Sequence, residues 1–376
     1  MRNEWEYMEL SRGARILKAW GENSCLEVPG ELGGLPVTEI GPYAFSAATL
    51  PRRFQVEETK KRRAVTDGHG GQPMAGTCLL SIRLPSTVQV IGDYAFYGCR
   101  ELREIAFTDS LERIGSGAFM GCSGVDRLEF LETGLGDRGL YQMLSELRYA
   151  MEIVIRRQGG ETALVVPEYY ESSVENIPAR ILELHYQGTG YRYRQCFRDG
   201  TVDYRAYDGL FGLAESQEPP EVLAQLAYDR LRYPVGLSDG ARRAYLEWFS
   251  ANVREAGKYF LKRDDLEAIR LICEAGGFDG TAKRRGGRGE ESRKIVADGA
   301  GDFYMASMGE HVLGEAESGQ GADRAEKDFG YGDGSEASLD VLAEMAGRMG
   351  RAEIVSCLMD YRHRKLGGGR KKVFEL

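Results

Sequence analysis

The sequence predicts an α/β repeat solenoid followed by an α+β segment and an α-helical domain. A unit of 23 residues recurs in the first third of the chain, strand-type alternation follows it, and helical spacing dominates after Pro219-Pro220. A chain of 376 residues is long enough for two or three domains, each with its own core. We therefore divide the chain into residues 1–135, 136–217 and 218–376.

The repeated unit is clearest at Ile91–Phe96, where Ile-Gly-Asp-Tyr-Ala-Phe returns 23 residues later as Ile-Gly-Ser-Gly-Ala-Phe at Ile114–Phe119. Each unit begins with a strand-type stretch such as Leu102–Phe107, in which alternate side chains point inward. One unit cannot cover its own apolar face, whereas stacked units share a continuous core. We therefore expect Phe96 and Phe119 to lie on successive rungs of that core.

An earlier copy of the unit lies at Val37–Phe45, and its Ile40 precedes Ile91 by 51 residues, which is two periods plus five. Phe45 is therefore expected to stack on the phenylalanines of the later copies. The interval contains Lys60–Arg63 and glycine-rich sequence, a composition that cannot bury apolar area. It predicts a solvated insertion at residues 51–76, and three or four repeats in all.

Residues 84–99 read Leu-Pro-Ser-Thr-Val-Gln-Val-Ile-Gly-Asp-Tyr-Ala-Phe-Tyr-Gly-Cys. This stretch resembles the BspA-type leucine-rich repeats of bacteria, in which an Ile-Pro strand precedes Val-x-x-Ile-Gly-x-x-Ala-Phe and then a cysteine. The resemblance covers residues 25–131, the first third of the chain. It implies a right-handed leucine-rich-repeat solenoid that serves as a binding surface, often on secreted or surface proteins.

Composition and charge narrow the class of partner. The net charge of −9 disfavours nucleic acid and anionic membranes as partners. Met1–Leu10 lacks the apolar run of a signal peptide, and no later stretch has the roughly 18 apolar residues of a membrane span. These features favour a cytoplasmic protein, with the cell surface as the alternative. Seven cysteines without a Cys-x-x-Cys pair and four scattered histidines predict no disulfide framework and no metal site.

The middle segment, residues 136–217, has mixed patterns. Leu140–Met151 has helical spacing, whereas Glu152–Ile155 and Ala163–Pro167 are typical of strands. Tyr191–Phe197 and Val202–Tyr207 alternate at period two around Asp-Gly, which predicts a β-hairpin. The segment is therefore interpreted as α+β.

The C-terminal region, residues 218–376, is predicted to be helical. Asp265–Ile272 and Arg351–Met359 weakly resemble the second helices of ankyrin-type hairpins, although the Thr-Pro-Leu-His start of that motif is absent. The resemblance implies stacked helix pairs. Residues 281–336 between them are dense in glycine and charge, which predicts a disordered insertion.

Three patterns could carry chemistry, and each also has a structural explanation. The glycines of Gly134–Gly139 could bind a dinucleotide, but the next strand ends in Arg156-Arg157 where an NAD site needs an acid. Glu168, Glu171 and Glu175 have helical spacing, which suits a solvated helix face better than a carboxylate cluster. The sequence therefore predicts no catalytic, cofactor-binding or metal-binding residues.

The third pattern interleaves aromatic and basic residues in Tyr191-Arg192-Tyr193-Arg194, as in proteins that bind single-stranded nucleic acid. Period two would put the tyrosines on one face and the arginines on the other. Packed tyrosines with solvated arginines is therefore the favoured interpretation.

The predicted binding surface is the outward face of the repeat strands. In-register alternation predicts two outward rows, which consist of Ser81, Glu104 and Arg127 in one and Arg83, Ala106 and Glu129 in the other. Mixed charge on such a face suits a protein partner. The sequence favours a non-enzymatic scaffold or binding protein. The alternatives are an unrecognised enzyme in the middle segment, with repeats that recruit its substrate, and an exported adhesion protein.

Overall fold

The computed structural model describes residues 3–65, 71–134, 139–176, 181–198, 200–278 and 336–366. Residues 281–335 of the predicted insertion lie outside the described residues. The strands are β1 (Asn3–Leu10), β2 (Gly13–Gly21), β3 (Cys25–Glu27), β4 (Glu31–Leu32), β5 (Leu35–Ile40), β6 (Lys61–Val65), β7 (Gln72–Pro73), β8 (Ser81–Arg83), β9 (Val90–Ile91), β10 (Glu104–Thr108), β11 (Arg113–Ile114), β12 (Arg127–Leu131), β13 (Met151–Arg157), β14 (Gly160–Val166), β15 (Tyr170–Asn176) and β16 (Ile181–Gln187). The helices are α1 (Gly139–Glu146), α2 (Gly190–Gln195), α3 (Tyr204–Gly209), α4 (Phe211–Gln217), α5 (Pro220–Arg232), α6 (Asp239–Ala251), α7 (Val253–Lys262), α8 (Leu266–Glu274), α9 (Glu336–Arg348) and α10 (Ala352–Leu366).

The repeat units build one sheet, which we call the repeat sheet. Strands β3, β8, β10, β12 and β13 lie side by side in parallel, and β14 closes the row in antiparallel orientation. The register places Ile105 beside both Ile82 and Leu128, and all three side chains are buried. The 23-residue alignment of the sequence is therefore confirmed at the level of paired residues.

A second sheet runs along the other side of the units in the order β11-β9-β5-β2-β1-β6. Strands β11, β9, β5 and β2 are parallel, whereas β1 and β6 join in antiparallel orientation. The hairpin β1–β2 carries none of the repeated residues and was not predicted. Its buried Trp5 and Ile16 nevertheless extend the apolar core by one layer.

The predicted aromatic ladder is present between the two sheets. Phe96 stacks on Phe45 with ring centroids 5.2 Å apart, and on Phe119 with centroids 5.0 Å apart. The thiol of Cys99 donates to the backbone oxygen of Phe45, and that of Cys122 to the backbone oxygen of Phe96. Burial raises the pKa of both thiols to about 12, so they remain protonated donors. Each cysteine thus ties its unit to the preceding one.

The sequence predicted a solvated insertion at the basic run Lys60–Arg63. The structure instead places most of this run in strand β6. This strand pairs with β1 in antiparallel orientation. Arg63 contacts Glu4 at 3.3 Å and Glu6 at 3.4 Å, and Arg62 contacts Glu9 at 3.4 Å. The acids of β1 thus complement the charge of the basic strand, and the two segments are too far apart in the chain for a local pattern to reveal the match.

In the middle segment, two predicted strands are confirmed. The predicted hairpin and the predicted solvent exposure of Arg194 are both wrong. Strands β13 and β14 lie where the sequence indicated them. The β-hairpin predicted at residues 191–207 is wrong, since α2 and α3 form there. Asp203 caps α3 by accepting a hydrogen bond from the Ala206 backbone N–H. The adjacent Tyr193 and Arg194 are both buried, which a two-faced strand would not allow.

The helical face predicted for Glu168, Glu171 and Glu175 is also wrong. The latter two residues lie in β15, which pairs with β16 in antiparallel orientation. Pairing with β16, the next strand along the chain, overrides the local helical spacing of the acids.

The predicted helical C-terminal region is confirmed by α5 to α10. Helix α9 packs against α7 and α10, and α10 against α8. Helix α5 packs on β14, so that helices and repeat sheet share one continuous apolar core. The predicted domain boundaries remain predictions.

Candidate functional site

The outward face of the repeat sheet brings the six predicted residues together. Glu104 lies between Ser81 and Arg127 in one register line, and Ala106 lies between Arg83 and Glu129 in the next. These two lines are the rows that strand alternation predicts.

Ala106 was predicted to be open to a partner on the outward face, but only 2% of it is exposed. Nη2 of Arg83 lies 3.1 Å from Oε2 of Glu129, and these two residues flank Ala106 in the sheet. The ion pair therefore bridges over the small alanine and shields it from solvent. Alternation predicts the direction of a side chain but not which neighbours will cover it.

Glu129 is the centre of the charge network on this face. Its carboxylate lies within 3.1 Å of Arg83, 3.3 Å of Arg156 and 3.6 Å of Arg127. Arg156 also contacts Glu161 at 3.0 Å, and this hydrogen bond lowers the pKa of Glu161. Half-exposed ion pairs contribute only about 0–1 kcal/mol each to stability. The main effect of the network is therefore to hold the arginine side chains in defined positions.

A groove of about 420 Å³ crosses this face beside the Glu129 network. Its apolar residues are Val28, Pro29, Leu84, Pro85, Ala106, Phe107, Phe130 and Leu131, and its charged residues are Glu27, Arg83, Glu129 and Arg156. Leu131 is 47% exposed, although it lies in a strand. An apolar floor within a charged rim is the usual arrangement of a protein–protein interface. The groove itself was not predicted from the sequence.

Helices α3 and α5 cover one end of the same face. The outward row that contains Glu129 continues into Val154 and Ala163, both of which are buried. The Tyr207 hydroxyl donates to the backbone oxygen of Val165 at 2.6 Å and accepts from its N–H at 3.1 Å. The open part of the outward face is therefore limited to β3, β8, β10 and β12.

A buried carboxyl lies near the covered end of the sheet. Asp229 of α5 is 2% exposed, and its Oδ1 accepts a hydrogen bond from Gln225. Within the described part of the chain, its Oδ2 has no hydrogen-bond partner. Burial, with a smaller contribution from the nearby Glu152, raises the pKa of Asp229 well above its ordinary value. Asp229 therefore holds its proton more tightly in the folded protein than in the unfolded chain.

Asp229→Asn is expected to flatten the dependence of stability on pH. Because the folded-state pKa of Asp229 is raised, its folded state binds more protons, and stability falls as pH rises from the unfolded pKa to the folded one. The slope should differ from that of the variant by up to about 1.4 kcal/mol per pH unit. Urea unfolding at a series of pH values measures it, with the exposed Asp126→Asn as control. Parallel curves for wild type and Asp229→Asn would contradict the assignment.

The glycine pattern at Gly134–Gly139 is only partly visible, since residues 135–138 lie outside the described residues. The strand before it, β12, is an inner strand of the repeat sheet, and α1 begins at Gly139. In the ranges that the structure describes, no helix is long and apolar enough to cross a membrane.

Comparisons with known proteins identify the repeat. Residues 74–138 match the model of the BspA type leucine rich repeat region, with six copies. A leucine rich cell surface protein from Faecalibacterium prausnitzii A2-165 is 18% identical, with a TM-score of 0.22, and the match covers 41% of each chain. A leucine rich repeat protein of T. pallidum is also 18% identical, with a TM-score of 0.20, and covers 33% of this chain and 68% of its own. No curated protein matches. The chain thus spans about two fifths of the first of these structures.

Proposed function

We propose that this chain, whose residues 74–138 are a BspA-type leucine-rich repeat region, is a non-enzymatic binding protein that recognises another protein with its repeat sheet. The observation that carries the proposal is the groove on the outward face. Its open apolar surface comes from the exposed Leu131 and the partly exposed Pro29 and Pro85, above the buried Phe107 and Phe130, and its rim holds arginines and glutamates. Burial of apolar area supplies the affinity, and the fixed charges supply selectivity.

The proposal also covers the domain arrangement, the residues that contact the partner and the location of the protein. The repeats form a short solenoid over residues 1–135, and the helices of residues 218–376 form an ankyrin-like stack beside the α+β segment. Partner contacts are made by Ser81, Arg83, Glu104, Arg127 and Glu129, with Ala106 at the bottom of the groove. A cytoplasmic location is part of the proposal, and its support is that all seven cysteines are free thiols.

Leu131→Glu is expected to weaken partner binding about tenfold or more. A buried leucine contributes about 1.5–3 kcal/mol, and 1.4 kcal/mol corresponds to a tenfold change in affinity. The measurement is a quantitative pull-down from the source cells, followed by titration of the captured protein. Because Leu131 is already exposed in the free protein, the substitution should leave the unfolding transition unchanged.

The matched control is Met120→Glu. Met120 is 53% exposed but does not line the groove. Partners that depend on the groove should be lost with Leu131→Glu and kept with Met120→Glu. Identical partner lists for the two variants and the wild type would remove the groove as the binding site.

A further inference from the structure

A second concave site lies on the other sheet, where the inserted segment folds back over β2. It has two adjoining chambers of about 690 and 270 Å³, which we call together the cleft. The chambers share Lys18, Leu50, Gln55, Val56 and Lys61. Volumes of this size are typical of small-molecule sites. The walls come partly from the sequence that interrupts the repeat period, and such insertions often carry binding sites.

The larger chamber has an apolar wall and a polar side that includes Lys18, Glu58 and Lys61. Ala19, Trp20 and Met74 form part of its wall, together with Val56 of the inserted segment. Tyr43 lines it as well, with a backbone φ of +58° that is uncommon for any residue except glycine. The corresponding position in the last repeat is a glycine, Gly117, at φ +61°. The equivalent residue of the middle repeat is again a tyrosine, Tyr94, at φ +54°, and its ring centroid lies 5.2 Å from that of Tyr43. The Tyr43 ring therefore packs on the next repeat while it lines the chamber.

The smaller chamber is basic. It is lined by four cations, Arg15, Lys18, Arg53 and Lys61, and by a single carboxylate, Glu6. Arg15 is paired with Glu39 at 2.6 Å, and Lys61 with Glu58 at 2.5 Å. Lys18 and Arg53 form no ion pair with any described residue. Two cations without an ion-pair partner lie in one concavity of a chain with a net charge of −9, with Glu58 of the larger chamber as the carboxylate that interacts with Lys18 at longer range.

We propose that the cleft binds a small amphipathic organic anion. The apolar body lies in the larger chamber against Trp20 and Val56, and the carboxylate or phosphate group lies in the smaller chamber against Lys18 and Arg53. This ligand site is on a different sheet from the protein-binding groove. An experiment can therefore contradict the ligand site in the cleft without contradicting the protein-binding groove, and the reverse.

The test compares probes that share one alkyl chain and differ in head group. Decanoate, decyl phosphate, decanol and decyltrimethylammonium are titrated into the full-length protein below their micelle concentrations, by calorimetry and tryptophan fluorescence. We expect each anion to bind about tenfold more tightly than decanol, and the cation to bind least. The two anions distinguish a carboxylate ligand from a phosphate ligand. Absence of binding, or equal affinity for all four probes, would overturn the proposal.

Two variants and one control locate the binding. Lys18→Gln combined with Arg53→Gln should remove the preference for anions, whereas Arg254→Gln combined with Lys258→Gln, on exposed residues of α7, should leave it unchanged. Ala48 is an exposed residue of the larger chamber, and Ala48→Trp should weaken all four probes. If decanoate still binds ten times better than decanol after the Lys18 and Arg53 substitutions, the anion site lies elsewhere.

Discussion

Phe96→Ala is expected to lower the free energy of unfolding by about 3–5 kcal/mol. Phe96 is fully buried between Phe45 and Phe119, with ring centroids 5.2 and 5.0 Å away. Removal of the middle ring deprives both neighbours of their contact and leaves a cavity that a closely packed stack cannot refill. No other rung of this ladder has a phenylalanine on both sides.

Urea denaturation followed by circular dichroism measures the effect. Phe96→Leu keeps most of the volume and should cost clearly less than the alanine variant. Phe54→Ala is a matched control, because Phe54 is a half-buried phenylalanine in the inserted segment. If Phe96→Ala costs no more than Phe54→Ala, the stack does not carry the stability of the repeats.

The repeat sheet could be predicted because the same residue types return at a fixed spacing. Ile82, Ile105 and Leu128 occupy one register line, as their alignment in the sequence requires. Strand β1 carries no such signal, and its partner β6 lies more than fifty residues away in the chain. Long-range pairing depends on complementary side chains that a local pattern does not reveal.

The candidate site likewise has features that the repeat period predicts and features that depend on long-range contacts. Alternation predicted which side chains face outward, yet the cover over Ala106 depends on the pairing of Arg83 with Glu129 across 46 residues. The groove and the cleft depend on how loops fold over the sheets. A period in the sequence contains no information on either.

The middle segment was the hardest part to predict, and Arg194 explains why. The pattern of alternating tyrosine and arginine suggested a solvated arginine, whereas Arg194 is 2% exposed. Its guanidinium group donates to five backbone oxygens, those of Leu144, Leu147, Tyr149, Pro167 and Gly190 at 2.7–3.1 Å. It also lies 4.8 Å from the ring centroid of Tyr169. A single side chain thus joins the end of α1, the chain after β14 and the start of α2.

Arg194→Ala is therefore expected to destabilise the protein by about 3–5 kcal/mol, because it leaves buried carbonyl oxygens without a donor. Burial lowers the pKa of Arg194 only to about 10, so the wild-type group is charged at neutral pH. Arg194→Lys offers a compact ammonium that cannot reach five acceptors, and it should recover only part of the loss. Arg192→Ala, on an exposed arginine of the same helix, should change stability by less than about 0.5 kcal/mol. Equal unfolding free energies for Arg194→Ala and Arg192→Ala would show that the five hydrogen bonds do not hold the segment together.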